Sequence, residues 1–214
     1  MPKSNRQSSG KTQGLYDRIA DVHHLTMKLN GYRKSVAKYL QSLDLDLNSD
    51  SHVLDAGSGT GIITQAFHSS GLPARRIVSL DLSLKSLRVA REELEEKPKF
   101  LSRTDFVESN VLAMPFADET FNLVVTCGVL EYTPLDNGLG EIARVLKRGA
   151  PLVLIPVKPS IVGSMLELLY SFRIHPLDEV RTAASRYFKI LGNHEFPITE
   201  PISWSKTIFL LEKK

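Results

Sequence analysis

The stretch from His52 to Gly61, His-Val-Leu-Asp-Ala-Gly-Ser-Gly-Thr-Gly, restricts the architecture more than any other part of the chain. A short apolar run closes on Asp55, and Gly57, Gly59 and Gly61 follow it. Helix-forming residues resume at Ile62 and continue through Phe67. The pattern reads as a buried strand, a tight turn and a helix start. Glycines there let the backbone approach a ligand closely, at a strand end where open α/β sheets bind their ligands. The spacing is informative too. A dinucleotide fingerprint, G-x-G-x-x-G, would put its third glycine at position 62. This chain has Ile62 there and Gly61 one position earlier. Asp55 beside the loop is unfavourable to a pyrophosphate and favourable to a ligand carrying an ammonium and a sulfonium.

Around this loop the sequence alternates. Strands are expected at 52–56, 76–81, 104–108, 120–126 and 151–156. Helices are expected at 61–69, 84–96 and 135–147, with Ser83 as the cap of the second and Gly149 as the stop after the third. Leu112 to Asp118, holding Pro115, reads as a loop. Such alternation predicts a Rossmann-like α/β fold with helices on both faces of a mostly parallel sheet and right-handed connections. After Pro156 the rhythm changes. Pro159–Arg173 and Asp178–Arg186 read as helices. Tyr187–Glu195 and Ser203–Glu212 read as an antiparallel pair, which brings the sheet to seven strands with an antiparallel last strand. At the other end, residues 1–13 have the composition of a disordered tail. Helical periodicity begins at Leu15 (Ile19, Val22, Leu25, Leu29), breaks at Gly31 and resumes over Tyr32–Leu43. Residues 14–214 therefore read as one domain, with a helical cap at 14–48 and an insertion at 157–186.

Composition narrows the function classes. The chain has 214 residues, 42% hydrophobic and 24% charged, which suits one soluble domain with a real core. The net charge of +3 forms no clustered basic stripe, so nucleic acid is not a favoured partner. One cysteine, Cys127, excludes an internal disulfide and a cysteine-type zinc site; no metal is expected, and the reading is cytoplasmic. The amino terminus shows no secretory signal. The longest apolar-rich run, Ile161 to Phe172, is too short to span a bilayer and contains Glu167.

Strand ends supply the candidate site. Asp81 closes the second strand, where a carboxylate can accept both hydrogen bonds of a ribose diol; a helix-capping aspartate is the structural alternative. Asn110 follows the third strand and offers a donor and an acceptor to an adenine edge, or simply forms a turn. The fourth strand runs into Thr126, Cys127 and Gly128, small residues that leave room for a ligand. No basic neighbour in sequence activates Cys127, so it reads as an inert thiol.

Taken in order, the segments 53–61, 79–83 (Ser-Leu-Asp-Leu-Ser), 109–116, 121–125 and 139–149 resemble a class I S-adenosylmethionine-dependent methyltransferase, most closely the small-molecule type 11 branch. The resemblance is strong over about residues 50–157 and implies S-adenosylmethionine as cofactor. It implies that Gly57, Ser58, Gly59 and Gly61 face the methionine part, with Asp55 orienting the loop and attracting the amino end. Asp81 would hold the ribose, Leu82, Asn110 and Val111 the adenine, and Thr126, Cys127 and Gly128 the methyl-donor end. Asn110 departs from the usual Asp, and Asn122 departs likewise at a position that supports the strand. The opening around Tyr16 faintly resembles quinone-biosynthesis C-methyltransferases and phospholipid N-methyltransferases, making Tyr16 a candidate for closing the site.

Methyl transfer from a sulfonium is an in-line displacement that depends mostly on positioning. A general base is needed only for an acceptor that must lose a proton early. Candidates are His23, His24, Glu131, Tyr132, His175 and His194; no constellation singles one out. The expected acceptor is a small molecule, with a quinone-like or lipid-like one suggested by the apolar residues of 161–172. The same residues allow peripheral membrane contact or packing in a homodimer, and a monomer is equally compatible. The competing readings are an NAD-dependent oxidoreductase, disfavoured by the glycine spacing, a base methyltransferase, disfavoured by the absence of an Asn/Asp-Pro-Pro-aromatic box, a protein methyltransferase, and a catalytically idle cofactor-binding or scaffold protein.

Overall fold

The computed structural model describes residues 31–214. The tail at 1–13, the helical pattern from Leu15 to Leu29, Tyr16, His23 and His24 lie outside the described residues. A seven-stranded sheet forms the centre, in the order β3-β2-β1-β4-β5-β7-β6. Its strands are β1 (His52–Ala56), β2 (Arg76–Asp81), β3 (Thr104–Glu108), β4 (Leu123–Cys127), β5 (Pro151–Ile155), β6 (Phe188–His194) and β7 (Ile208–Lys213). The pairs from β3 to β5 are all parallel. β7 slots in antiparallel between β5 and β6.

The sheet is buried on both faces because successive side chains of its central strands feed two separate cores. Val53, Ile77, Leu123, Val125, Val153 and Ile155 point to one. Leu54, Val78, Val124, Leu152 and Leu154 point to the other. The first is covered by α1 (Tyr32–Ser42) and α2 (Ile62–Ser70), through Val36, Leu40, Ile63 and Phe67. The second is covered by α5 (Leu135–Val145) and α7 (Leu177–Tyr187), through Leu139, Ile142, Val180 and Ala184. Between them in sequence, α3 (Leu84–Glu95) packs beside β2 and β3. Ser83 caps α3 as expected, its hydroxyl accepting from Ser86 N at 3.1 Å.

Departures from expectation are local and have identifiable causes. A one-turn helix, α4 (Pro98–Leu101), stands where none was expected; its proline opens the first turn, where a missing N–H costs nothing. β4 begins at Leu123, and Phe121 makes only an isolated bridge to Leu146. The last strand begins at Ile208, because Pro201–Trp204 turns as a short 3-10 helix first. Gly149 does not end α5 but sits beyond it at φ 71°, in the turn into β5.

The expected insertion at 157–186 divides into two parts with different roles. α7 buries Val180, Ala183 and Ala184 and is a regular layer of the fold. α6 (Ile161–Tyr170) buries only Gly163 and Tyr170 and leaves Ile161 and Leu168 about as open as free side chains, at 85% and 86% exposure. Core dependence predicts that Leu139→Ala, which empties a fully buried site facing the sheet, lowers unfolding stability by about 2–5 kcal/mol in urea titration.

Candidate functional site

The loop after β1 is held by the strand beside it. Gly57 N and Ser58 N both donate to the Leu80 carbonyl, each at 2.8 Å. Gly59 N donates to Asp81 Oδ2 at 2.7 Å. The three glycines occupy left-handed backbone, φ 74°, 52° and 80° at Gly57, Gly59 and Gly61, where a side chain is strained. Their reasons differ beyond that. A Cβ on Gly57 would stand 2.5 Å from Val129 Cβ, and one on Gly61 would stand 2.8 Å from Ala90 Cβ. Those two are packing glycines. A Cβ on Gly59 would meet nothing within 4 Å. Gly59 is therefore the member of the loop that faces open space.

Two carboxylates flank this loop. Asp55, at 2% exposure, uses Oδ2 twice, accepting from Thr64 N at 2.8 Å and Thr64 Oγ1 at 2.7 Å. It thereby fastens α2 to the end of β1. Its other oxygen, Oδ1, is buried without a partner, as is the hydroxyl of Ser58. Burial raises the Asp55 pKa to about 7; the Thr64 hydrogen bonds oppose this, and the charge of Asp81 adds to it. Asp81 Oδ1 accepts from Ser83 N at 2.9 Å, so this carboxylate braces both the loop and the entry to α3. The crevice mouth is thus anionic and carries unsatisfied acceptors, the complement of a cationic ligand.

Residues 54–154 match the model of the methyltransferase domain family. The matched residues run from β1 through β5, the parallel part of the sheet and its strand-end loops. The chain is 31% identical over 144 residues to the ubiquinone/menaquinone biosynthesis C-methyltransferase of Pasteurella multocida, covering 65% of this chain and 53% of that one. The enzyme of the same name from Hahella chejuensis is 33% identical over 130 residues, covering 58% and 51%. The chain therefore spans about half the length of these curated relatives. Among solved structures, the geranyl diphosphate C-methyltransferase of Streptomyces coelicolor, in complex with Mg2+, geranyl-S-thiolodiphosphate and S-adenosyl-L-homocysteine, superposes with TM-score 0.68 at 16% identity, over 83% of this chain and 75% of that one. A Haloferax volcanii methyltransferase in complex with its Trm112 activator gives 0.74 at 18% identity, over 92% and 97%. These two share the fold.

Within the matched region the other expected residues separate by exposure. Leu82 is partly exposed beside Asp81, and Val111 is buried in the core. Asn110 is exposed, and its Oδ1 already accepts from Leu112 N at 2.9 Å, the turn-forming arrangement. The amide oxygen expected to serve as an acceptor is thus engaged locally. Thr126 is fully buried and donates to the Ala56 carbonyl at 2.9 Å, so it joins β4 to β1 and does not itself reach the crevice. Cys127 and Gly128 are partly exposed at the strand end, and burial pushes the Cys127 thiol up. Asn122 supports the strands as expected, accepting from His52 N and Lys147 Nζ.

The candidates for a base are dispersed. Tyr132 packs edge-on against Phe172 at 5.3 Å between centroids. Glu131 is buried, accepts from Val157 N through Oε1, and leaves Oε2 without a partner. His175 is buried, approaches Glu179 at 3.3 Å and lines a small cavity together with Glu131. His194 is exposed on β6 against the Tyr39 ring. Among the described residues no group of three or more His, Cys, Asp or Glu side chains is placed to hold a metal.

Sequence reasoning missed three buried polar residues on the β4 side. Tyr32 OH lies 3.0 Å from Ser205 Oγ, and the next residue, Lys206, is buried with its ammonium against Gly128. The available signal was the short spacing of Ser203, Ser205, Lys206 and Thr207 in a segment otherwise read as a strand. The raised Asp55 pKa carries a testable sign. A carboxyl that ionises less readily when folded binds more protons in the native state between about pH 4 and 7, so stability falls as pH rises through that window. Relative to wild type, Asp55→Asn should therefore gain melting temperature from pH 5 to about pH 7 and level off above it; a pH-independent difference would show that Asp55 titrates normally.

Proposed function

We propose that the domain binds S-adenosylmethionine at the glycine loop and transfers its methyl group to a small acceptor with an apolar body. The observation that carries this reading is the unpartnered, buried Oδ1 of Asp55 beside the open Gly59. An ammonium at that point would supply the missing partner and relieve the repulsion between Asp55 and Asp81. The cofactor, when bound, supplies a methyl group on a cationic sulfur whose departure leaves a neutral thioether.

The chain's own residues would hold, orient and exclude water. Asp55, Gly57, Ser58 and Gly59 would hold the amino-acid end, with Gly61 keeping the loop close to α3. Asp81 would accept from the ribose hydroxyls while its Oδ2 braces Gly59. Leu82, Asn110 and Val111 would bound the adenine, and Cys127 and Gly128 the methyl-donor end. Positioning of this kind is where most of the acceleration of such a displacement arises.

The acceptor side rests on α6. Ile161, Met165, Leu168 and Leu169 are exposed on it, and Trp204 stands beside its start, where Ser160 Oγ donates to the Trp204 carbonyl. An apolar patch of this kind favours a quinone-like or lipid-like acceptor, collected at a membrane surface. No helix among the described residues is long and apolar enough to cross a membrane.

Calorimetry with S-adenosylhomocysteine tests the reading first: absence of binding would overturn it. Asp81→Ala should weaken that binding by about 1–3 kcal/mol, the scale of hydrogen bonds lost to a charged group. An unchanged dissociation constant would remove Asp81 from the ribose site. Binding without methyl transfer to any quinol or lipid acceptor would instead favour an idle binding protein.

A further inference from the structure

Lys206 is a buried charge that the reading above does not use. It precedes β7, and because β7 runs against its neighbours, its first residues arrive at the edge where the parallel strands end. The ammonium nitrogen lies 2.7 Å from the place a Cβ on Gly128 would take, just past the end of β4. Gly128 carries no side chain there, so the lysine fills the space beside the methyl-donor end of the crevice. The residue is only 4% exposed. Yet among the described residues no hydrogen bond or ion pair reaches its Nζ. Buried charges are ordinarily paired, because desolvation without a partner is costly.

The surroundings keep the charge in place without satisfying it. Burial works against the ammonium, and the fields of Cys127, Glu131 and Tyr32 outweigh it, so its pKa is raised above the usual lysine value. Burial pushes the Cys127 thiol and the Tyr32 phenol up as well. At neutral pH the thiol and the phenol are therefore neutral, and Glu131 is the member of the cluster whose field then favours the ammonium. Glu131 is the nearby carboxylate; its Oε1 is engaged with Val157 N, its Oε2 has no partner, and it makes no ion pair with Lys206. The backbone around the lysine is pinned. Lys206 N donates to the Ile202 carbonyl at 2.9 Å, residue 206 bridges Val157, and Thr207 Oγ1 bonds Asn193, His194 and Glu195.

We infer that Lys206 is a binding residue for an anionic oxygen of the methyl acceptor, the oxygen of a phenolate, enolate or carboxylate. The inference rests on the proposed methyl transfer and names the acceptor class within it. A neutral hydroxyl or amide would leave the buried charge uncompensated; an oxyanion accepting one of its N–H bonds would compensate it. The acceptor's nucleophilic atom then gives its electron pair to the methyl carbon, while the pair of the breaking S–CH3 bond stays on sulfur. The negative charge of the acceptor and the positive charge of the sulfonium cancel, and Lys206 remains protonated throughout. The anionic mouth at Asp55 and Asp81 and the cationic floor at Lys206 would thus sort the two substrates by charge.

The test uses 4-nitrophenol as probe, on the whole chain loaded with S-adenosylhomocysteine. Its visible absorption should show bound probe ionised about one pH unit below the point at which it ionises free, the effect of an adjacent opposite charge. Lys206→Met should abolish that displacement and weaken the probe roughly ten- to hundredfold. It should leave S-adenosylhomocysteine affinity within twofold and the melting temperature no lower, and Lys206→Arg should retain most of the displacement. Equal binding by the Met variant, or wild-type binding of the neutral phenol alone, overturns the inference. So does a tenfold loss of S-adenosylhomocysteine affinity in the Met variant, which would give the ammonium to the cofactor's carboxylate. If the Met variant does not fold, the wild-type spectrum decides. If wild type binds no S-adenosylhomocysteine, the proposed function fails, and the same titration on the ligand-free chain judges Lys206 separately.

Discussion

The carbonyl of Leu80, accepting from both Gly57 and Ser58, is the interaction on which the site depends. It belongs to β2, and the two donors belong to the turn that leaves β1, so the loop can form only once the two strands lie parallel and in register, Ala56 beside Leu80. The chain must then reverse direction within five residues to start α2 behind the sheet. Three left-handed glycines make that turn possible. Asp55, held by Thr64, fixes where the helix begins. The open face of Gly59 and the unpaired oxygen of Asp55 both follow from that turn.

Charge is distributed across the crevice in a definite order. At one end Asp55 and Asp81 face the same loop, and the charge of Asp81 adds to the cost of ionising the buried Asp55. At the other end Lys206 lies buried behind Gly128 without a counter-charge in contact. Either arrangement alone would be a liability, because a buried unpaired charge is destabilising. Under the proposed function each is completed by a ligand of the opposite charge. The apolar residues of α6 add a further element, a surface that lies outside the core of the described residues.

Much of this was legible in the sequence, for physical reasons that differ by element. The parallel strands read clearly because burial on both faces demands continuous apolar runs. The loop read clearly because its glycines are obligatory, and its mismatch to the dinucleotide spacing pointed toward a cationic ligand. The residues at 201–207 did not read, because proline turns and alternating polar residues resemble an edge strand until the fold shows that Lys206 and Thr207 are enclosed. Thr126 likewise looked like a site residue, and its hydroxyl turned out to serve the Ala56 carbonyl across the sheet. Asn110 carried two readings, and its bond to Leu112 N shows that the turn engages its oxygen.

By itself the sequence determined the order of strands and helices, the glycine loop and the two aspartates at its sides, since periodicity and obligatory backbone conformations are local properties. Tertiary structure decided which of the three glycines faces the crevice, which oxygen of Asp55 stays unpaired, and that a lysine far along the chain reaches the end of β4. Those outcomes depend on which surfaces meet when the sheet closes, and β7 meets β4's end only because an antiparallel strand inserts beside β5.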